Sequence, residues 1–317
     1  MTDSILAVVE RSGLVEEDHP GALAVIRPDG RPVVEFGDTD RPFYIRSSAK
    51  PFQAFASLST GLELPDVHLA LACSSHSGDP VHVAVVEDLL ARHRLSEADL
   101  GCPPARPFPA ADCGWAARGI TEAAPRFHNC SGKHAAMLAA CATAGWDTAG
   151  YLDPGHPLQR RVEAVMADVT GEPVGPPGVD GCGLPVWRVT TRGLARAFWS
   201  LATEERFERI RTVMARYPML VSGEDRPDGL IGRWLGTAAK GGAAGCMGVA
   251  AAGYGIGVKI WSGSGPATGI GAVLALDRIG ILPSALVSAL DEVARPPVLG
   301  GGKEVGRFRP VAVLDRL

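Results

Sequence analysis

The spacing of apolar positions divides this chain into two ends of one character and a middle of another. Residues 5–9 are apolar, and the run 22–26 (Ala-Leu-Ala-Val-Ile) leads through Pro28-Asp29-Gly30 to 33–36 (Val-Val-Glu-Phe), a spacing that predicts a β-hairpin. From residue 47 the period changes. Phe52, Phe55, Ala56 and Ser59 recur at helical spacing, and a second helix is predicted over 80–94 with Val81, Val85 and Leu89 on one stripe. A third opens at Ser131 and carries Met137, Leu138 and Cys141. A fourth opens at Pro157, carries Leu158, Val162, Val165 and Val169, and stops near Gly171. Residues 194–217 form one long amphipathic pattern. Strand character returns at 256–261, a helical run surrounds 272–276, and a last strand is predicted at 311–314.

This order predicts an α/β protein whose antiparallel sheet, built from N- and C-terminal strands, is packed by helices. It reads as one domain over 1–317, with the helical part at roughly 47–250 and no internal repeat. The loop-rich stretch 101–126 is the best candidate for an inserted or mobile region.

Composition narrows the classes. With 317 residues the chain can bury a sizeable core, and 46% hydrophobic with 21% charged residues is ordinary for a soluble globular protein. A net charge of −4, with no basic run interleaved with aromatics, argues against nucleic-acid binding. No apolar stretch is long enough for a membrane span. Met1-Thr2-Asp3-Ser4-Ile5 has neither the basic region nor the apolar core of a secretory leader, so a cytoplasmic location is expected. Seven scattered cysteines, an odd number, predict reduced thiols, most of them buried as small hydrophobes, Cys141 among them.

Chemistry concentrates in four places. In Arg46-Ser47-Ser48-Ala49-Lys50-Pro51 a serine and a lysine stand three apart where a helix begins, so their Cβ atoms lie roughly 5–6 Å apart on one face. A lysine that has lost its proton can activate such a serine as an acyl-transfer nucleophile. The bare S-x-x-K pattern also describes many solvated helix starts. Cys73-Ser74-Ser75-His76-Ser77-Gly78-Asp79-Pro80 packs three hydroxyls into a turn before a helix, either as N-capping or as a second serine that relays a proton or contacts substrate. His128-Asn129-Cys130-Ser131-Gly132-Lys133-His134 is a helix N-terminus carrying a thiol. Alternatively, Cys130 and His134, with a distant thiol such as Cys182, bind a metal for which zinc is the natural choice. Lys259 alternates onto a strand face with Gly255 and Gly257, which leave room for a ligand or another side chain. It also fits a surface lysine on an edge strand.

Together these segments, with Asp180-Gly181-Cys182-Gly183-Leu184-Pro185 and Gly257-Val258-Lys259-Ile260, resemble the class 3, rhizobial-type L-asparaginases (the asparaginase II family). Five blocks in family order span nearly the whole chain, and N-C-S-G-K-H is the most specific. The resemblance implies a fold like that of serine β-lactamases and glutaminases, and hydrolysis of L-asparagine to L-aspartate and ammonia. It implies Ser47 as nucleophile, Lys50 as its base, and Ser75 with Lys259 as a second Ser–Lys pair. It also implies zinc on Cys130, Lys133 and Cys182, Asp180 behind those ligands, and Arg46 and His134 near the substrate. A homodimer is the assembly it favours.

Physical chemistry agrees with such roles. A lysine free in water, with a pKa of about 10.4, is neutral in roughly one copy in 2,500 at pH 7. Burial and a second nearby ammonium, here expected from Lys259, both favour the neutral base. Lys133 must also be neutral to hold a metal, which makes affinity pH-dependent. Two features depart from the family pattern: the apolar stretch 248–253 where a polar turn is expected, and His128 two residues before Cys130.

Other functions remain to be weighed. A β-lactamase or penicillin-binding relative expects an S-D-N-like element, a K-T-G-like strand and export, whereas Lys259 is followed by Ile260-Trp261. A glutaminase differs by one methylene of substrate, worth roughly 1–3 kcal/mol in a pocket. A non-enzyme alternative is a zinc-stabilised or zinc-sensing protein that uses Cys130 and Cys182 structurally.

Overall fold

A computed structural model describes residues 4–223, 225–282 and 289–311. Its main sheet contains β1 (Ile5–Arg11), β2 (Leu14–Ile26), β3 (Pro32–Phe36), β4 (Ala238–Gly242), β5 (Cys246–Ala251), β6 (Tyr254–Ile260), β7 (Pro297–Gly300) and β8 (Lys303–Pro310). Every pairing is antiparallel, in the order β7-β8-β1-β2-β6-β5-β4, with β3 also on β2. The first part of β2 pairs with β1 and the second with β3 and β6, in the registers Val25↔Val34 and Ala22↔Lys259. The expected sheet from both termini is therefore present. Its C-terminal strand is Lys303–Pro310, whose charged side chains hide the strand pattern. Of the strand predicted at 311–314, Val311 follows β8 and the rest lies outside the described residues.

The chain between β3 and β4 is mostly helical: α1 (Lys50–Leu58), α2 (Asp66–Ala72), α3 (Pro80–Arg92), α4 (Pro109–Ala116), α5 (Ser131–Ala144), α6 (Pro157–Thr170), α7 (Thr191–Thr203), α8 (Glu208–Arg216), α9 (Pro218–Ser222) and α10 (Pro227–Leu235). After β6 come α11 (Gly265–Arg278) and α12 (Asp291–Ala294). Residues 131–141 of α5 are buried without interruption, as expected for a helix that small side chains allow to sit inside the core. A Cβ at Gly132 would come 2.5 Å from the Leu71 side chain, so α2 and α5 touch closely there. No helix among the described residues is long and apolar enough to cross a membrane.

Three expectations change. The buried stripe of α3 is Val83, Val86, Leu89 and Leu90, while Val81 is 57% exposed beside the N-terminus. The pattern at 194–217 is two helices, because Glu204 is extended and a 3₁₀ turn over Glu205–Phe207 intervenes. That break delivers Phe207 to Phe52 and Phe55, with ring centroids 5.8 and 4.6 Å away. The stretch 101–126 is anchored: Trp115 Nε1 donates to the Gly78 carbonyl at 2.6 Å, and the Phe108 N–H to the Ser77 carbonyl at 2.8 Å.

Helices cover both faces of the sheet, α7 on one and α11 on the other. The glycines of β6 serve this packing and not a ligand. A Cβ at Gly255 would lie 2.2 Å from both the Ala195 carbonyl oxygen and the Trp199 nitrogen of α7, and one at Gly257 would lie 2.5 Å from the Thr191 carbonyl oxygen. Opposite, α11 approaches so closely that a Cβ at Gly271 would meet Val258 at 2.7 Å. The apolar stretch 248–253 belongs mostly to β5, and Phe198 fills the space a Gly248 side chain would need. Because α7 backbone cannot yield as a flexible side chain does, Gly255→Ala should destabilise the protein by about 2–3 kcal/mol in urea unfolding.

Candidate active site

A 3₁₀ turn over Arg46–Ala49 carries Ser47 and runs directly into α1, whose first residue is Lys50. Arg46 has φ = +52°, a left-handed conformation that is costly for a side-chain-bearing residue. Its guanidinium holds the turn from outside, with Nε donating to Asp180 Oδ1 at 2.6 Å. Ser47 is partly exposed and Lys50 fully buried. The pair thus stands at the boundary between a cavity and the core.

Lys50 Nζ donates to the Ser75 hydroxyl oxygen (2.9 Å), the Asn129 carbonyl (3.3 Å) and the Ser74 carbonyl. Burial pushes its pKa down to about 8; Cys130 opposes the shift, while Lys133 and Lys240 add to it. At that value roughly one copy in ten is neutral at pH 7. Ser75 lies in the segment between α2 and α3, and its N–H donates to the Val221 carbonyl at 2.9 Å. It does no capping: the N-cap of α3 is Asp79, without a side-chain cap bond.

Ser47 and Ser75 line one cavity of about 220 Å³ together with Asn129, Arg226, Asp228 and the segment Gly241, Gly242 and Ala243. The Ser47 hydroxyl has no hydrogen-bond partner among the described residues. Lys259 is placed differently from expectation. Its Nζ donates to the carbonyls of Ile260 (2.9 Å) and Ala244 and lies 5.6 and 5.3 Å from the Phe43 and Trp261 ring centroids. Lys50 is the lysine hydrogen-bonded to Ser75, and Lys133 and Lys240, in place of Lys259, are the ammonium groups that bias it. The reason is register: Lys259 is the penultimate residue of β6, and its amine turns to carbonyls at that strand's end.

The proposed metal residues do converge. Lys133 Nζ lies 3.3 Å from Cys182 Sγ, and the Cys130 and Cys182 thiols share a hydrogen bond. That bond favours the Cys130 thiolate, whereas it holds the Cys182 thiol well above its usual range, with burial adding to the rise. For Lys133, burial favours the neutral amine, but the two thiols outweigh it and keep the ammonium. Asp180 stands behind this cluster through Arg46 and its field at Lys133. Among the described residues no three His, Cys, Asp or Glu side chains come together as a metal cluster. Two thiols suit zinc, and the Lys133 amine, 3.3 Å from Cys182 Sγ, fits as a further donor once its ammonium gives up a proton in exchange for the metal. His134 is fully buried, with Nδ1 2.6 Å from the Tyr151 hydroxyl and Nε2 unpartnered among the described residues. Neither His134 nor Arg46 lines the cavity.

The sequence matches the L-asparaginase II family over residues 7–310. The chain belongs to this family. A search of curated proteins found none that matches. Among solved structures, Mglu in its native form is 16% identical over 83% of this chain, with a TM-score of 0.45, and this chain spans 65% of that one. A β-lactamase from Mycobacterium bovis is 15% identical over 86% of this chain and 95% of its own, with a TM-score of 0.42. A Bacillus glutaminase is 13% identical over 82% and 91%, with a TM-score of 0.45.

Within this family member, pattern reading missed Arg226, Asp228 and Lys240. Lys240 Nζ lies 2.9 Å from Asp228 Oδ2, which also accepts from Ser222 Oγ (2.6 Å) and the Gly241 N–H (2.8 Å). Burial pushes the Asp228 carboxyl up, but Lys240, Arg226 and these hydrogen bonds outweigh it and hold it well below the carboxylate range. The available signal was Lys240 alone in Ala238-Ala239-Lys240-Gly241-Gly242, a charge in an otherwise apolar strand. Lys240→Met strands the buried Asp228 charge and should cost about 3–5 kcal/mol in chemical denaturation, with much of that recovered on adding Asp228→Asn.

Proposed function

We propose that this protein hydrolyses the side-chain amide of L-asparagine to L-aspartate and ammonia through an acyl-enzyme on Ser47. The observation that carries the reading is the buried Lys50 amine on Ser75, in the cavity that Ser47 lines with an uncommitted hydroxyl. A neutral lysine has two N–H groups and one lone pair. The carbonyls of Ser74 and Asn129 accept the two, and the lone pair then faces the Ser75 hydroxyl. As Ser47 Oγ attacks the amide carbon, its proton passes to Ser75 and the Ser75 proton to Lys50. Returned along the same route, that proton reaches the leaving nitrogen as the C–N bond breaks and ammonia departs. Water then loses a proton along this path, attacks the ester and frees L-aspartate and Ser47. The backbone N–H groups of Ser47 and Ala243, which both line the cavity, are the donors assigned to the oxyanion, since the Gly241 N–H is given to Asp228.

Cys130, Cys182 and Lys133 would hold zinc, next to the Asn129 that lines the cavity. When bound, it supplies a fixed positive charge and keeps the two thiols ionised. Zinc titration followed by calorimetry should show one site with proton release, lost in Cys182→Ser. A melting temperature nearly independent of metal marks a modulating role, and collapse on chelation marks a structural one.

A second reading, with Ser75 as nucleophile, is favoured by its direct contact with Lys50. Ammonia release from L-asparagine and L-glutamine by wild type, Ser47→Ala and Ser75→Ala separates the two. Ser47→Ala should abolish turnover with melting unchanged, and Ser75→Ala should lower it about 100-fold. Because the base must be deprotonated, wild-type kcat/KM should rise with pH up to about 8, where Lys50 titrates, and level off above. Turnover that survives in Ser47→Ala moves the nucleophile to Ser75. Silence toward both amides overturns the substrate assignment.

A further inference from the structure

The cavity contains opposite charges that the acyl-transfer chemistry does not use. Arg226 lines it directly before α10. Its Nε donates to the Ser222 carbonyl at 2.6 Å, its Cζ lies 5.3 Å from the Phe108 ring centroid, and its buried Nη2 has no hydrogen-bond partner among the described residues. A buried guanidinium nitrogen without an acceptor is costly, and an incoming anion relieves that cost. Asp228 lines the same cavity. Its Oδ2 accepts from Ser222, Lys240 and Gly241, while Oδ1 has no hydrogen bond from any described residue. Arg226 and Asp228 form no ion pair with each other among the described residues, although one residue separates them. Each keeps hydrogen-bonding capacity for a ligand.

We propose that Arg226 and Asp228 form the specificity cradle for the α-carboxylate and α-ammonium of a zwitterionic amino-acid substrate, leaving the side-chain amide for Ser47. This assignment rests on the proposed hydrolysis and deepens it by naming what distinguishes an α-amino acid from a simple amide. Arg46 is the alternative cation. Its Nε is committed to Asp180 at 2.6 Å, and it does not line the cavity. The Arg226 Nε is likewise committed, to the Ser222 carbonyl, but its buried Nη2 has no partner among the described residues and is open to a carboxylate. Charge-assisted, two-pronged recognition of a carboxylate is what a guanidinium does best. The Asp228 carboxylate is kept in place by three donors on one oxygen, so its other oxygen meets an ammonium without having to be reorganised.

Calorimetry tests this apart from turnover, with L-aspartate, β-alanine (no α-carboxylate) and succinate (no α-ammonium) as probes. Wild type should bind each truncated probe at least about tenfold more weakly than L-aspartate. Arg226→Met should weaken L-aspartate about tenfold to hundredfold and leave β-alanine unchanged, with Arg226→Lys recovering part of the loss. The KM for L-asparagine should rise by a similar factor while kcat stays within a fewfold. Equal L-aspartate affinity in wild type and Arg226→Met, or equal loss for L-aspartate and β-alanine, overturns the cradle. If Arg226→Met fails to fold, the comparison of probes on wild type and on Arg226→Lys decides. Arg226-dependent L-aspartate binding without ammonia release from either amide keeps the cradle and removes the hydrolysis assignment. No L-aspartate binding by wild type removes the cradle itself.

Discussion

An amine in the dry interior has to be either paired with an anion or neutral, and Lys50 has no carboxylate beside it. Its three contacts are two carbonyls and a hydroxyl, and burial favours the uncharged form. That constraint organises its surroundings. The carbonyls come from Ser74, after α2, and Asn129, before α5, so these loops have to close over the start of α1. Three separate parts of the chain meet at one nitrogen.

Other charges around the cavity follow the same logic with different solutions. Lys240 is buried too, but Asp228 answers it directly, and Ser222 and the Gly241 N–H complete the carboxylate. Lys133 is answered by two thiols. Arg226 is only partly satisfied, through the Ser222 carbonyl. The result is a small cavity with three lysines and an arginine around it, and with Asp228 the one carboxylate among its lining residues. Such a field favours anionic groups and neutral bases together.

Much of the architecture was legible from local pattern. Helices opening at Pro80, Ser131 and Pro157 begin where the proline and small-residue signals place them, and the β2–β3 hairpin has the turn its Pro-Asp-Gly predicts. Elements read poorly where side-chain chemistry and secondary structure diverge. The strand Lys303–Pro310 carries charges along a half-exposed edge region and shows no clean alternation, whereas α5, buried all round, is legible from its start at Ser131 and its small side chains. The site divides in the same way. Ser47 and Lys50 are three residues apart and thus locally coupled, whereas the Lys50–Ser75 contact spans 25 residues and Lys240–Asp228 depends on how α10 docks against β4.

By itself the sequence determined the sheet-and-helix order, the local Ser–Lys turn and the family to which the chain belongs, while the meeting of Lys133 with Cys182 came only as what the resemblance implied. Only the tertiary structure decided which lysine meets Ser75, that the β6 glycines admit α7, and that Arg226 and Asp228 face the same cavity. The physical reason is range. Spacing along a helix or strand sets which neighbours share a face, but it says nothing about where a flexible four-carbon side chain from one element finds its acceptor. That is settled by close packing and by the need to satisfy each buried charge, and both are properties of the assembled fold.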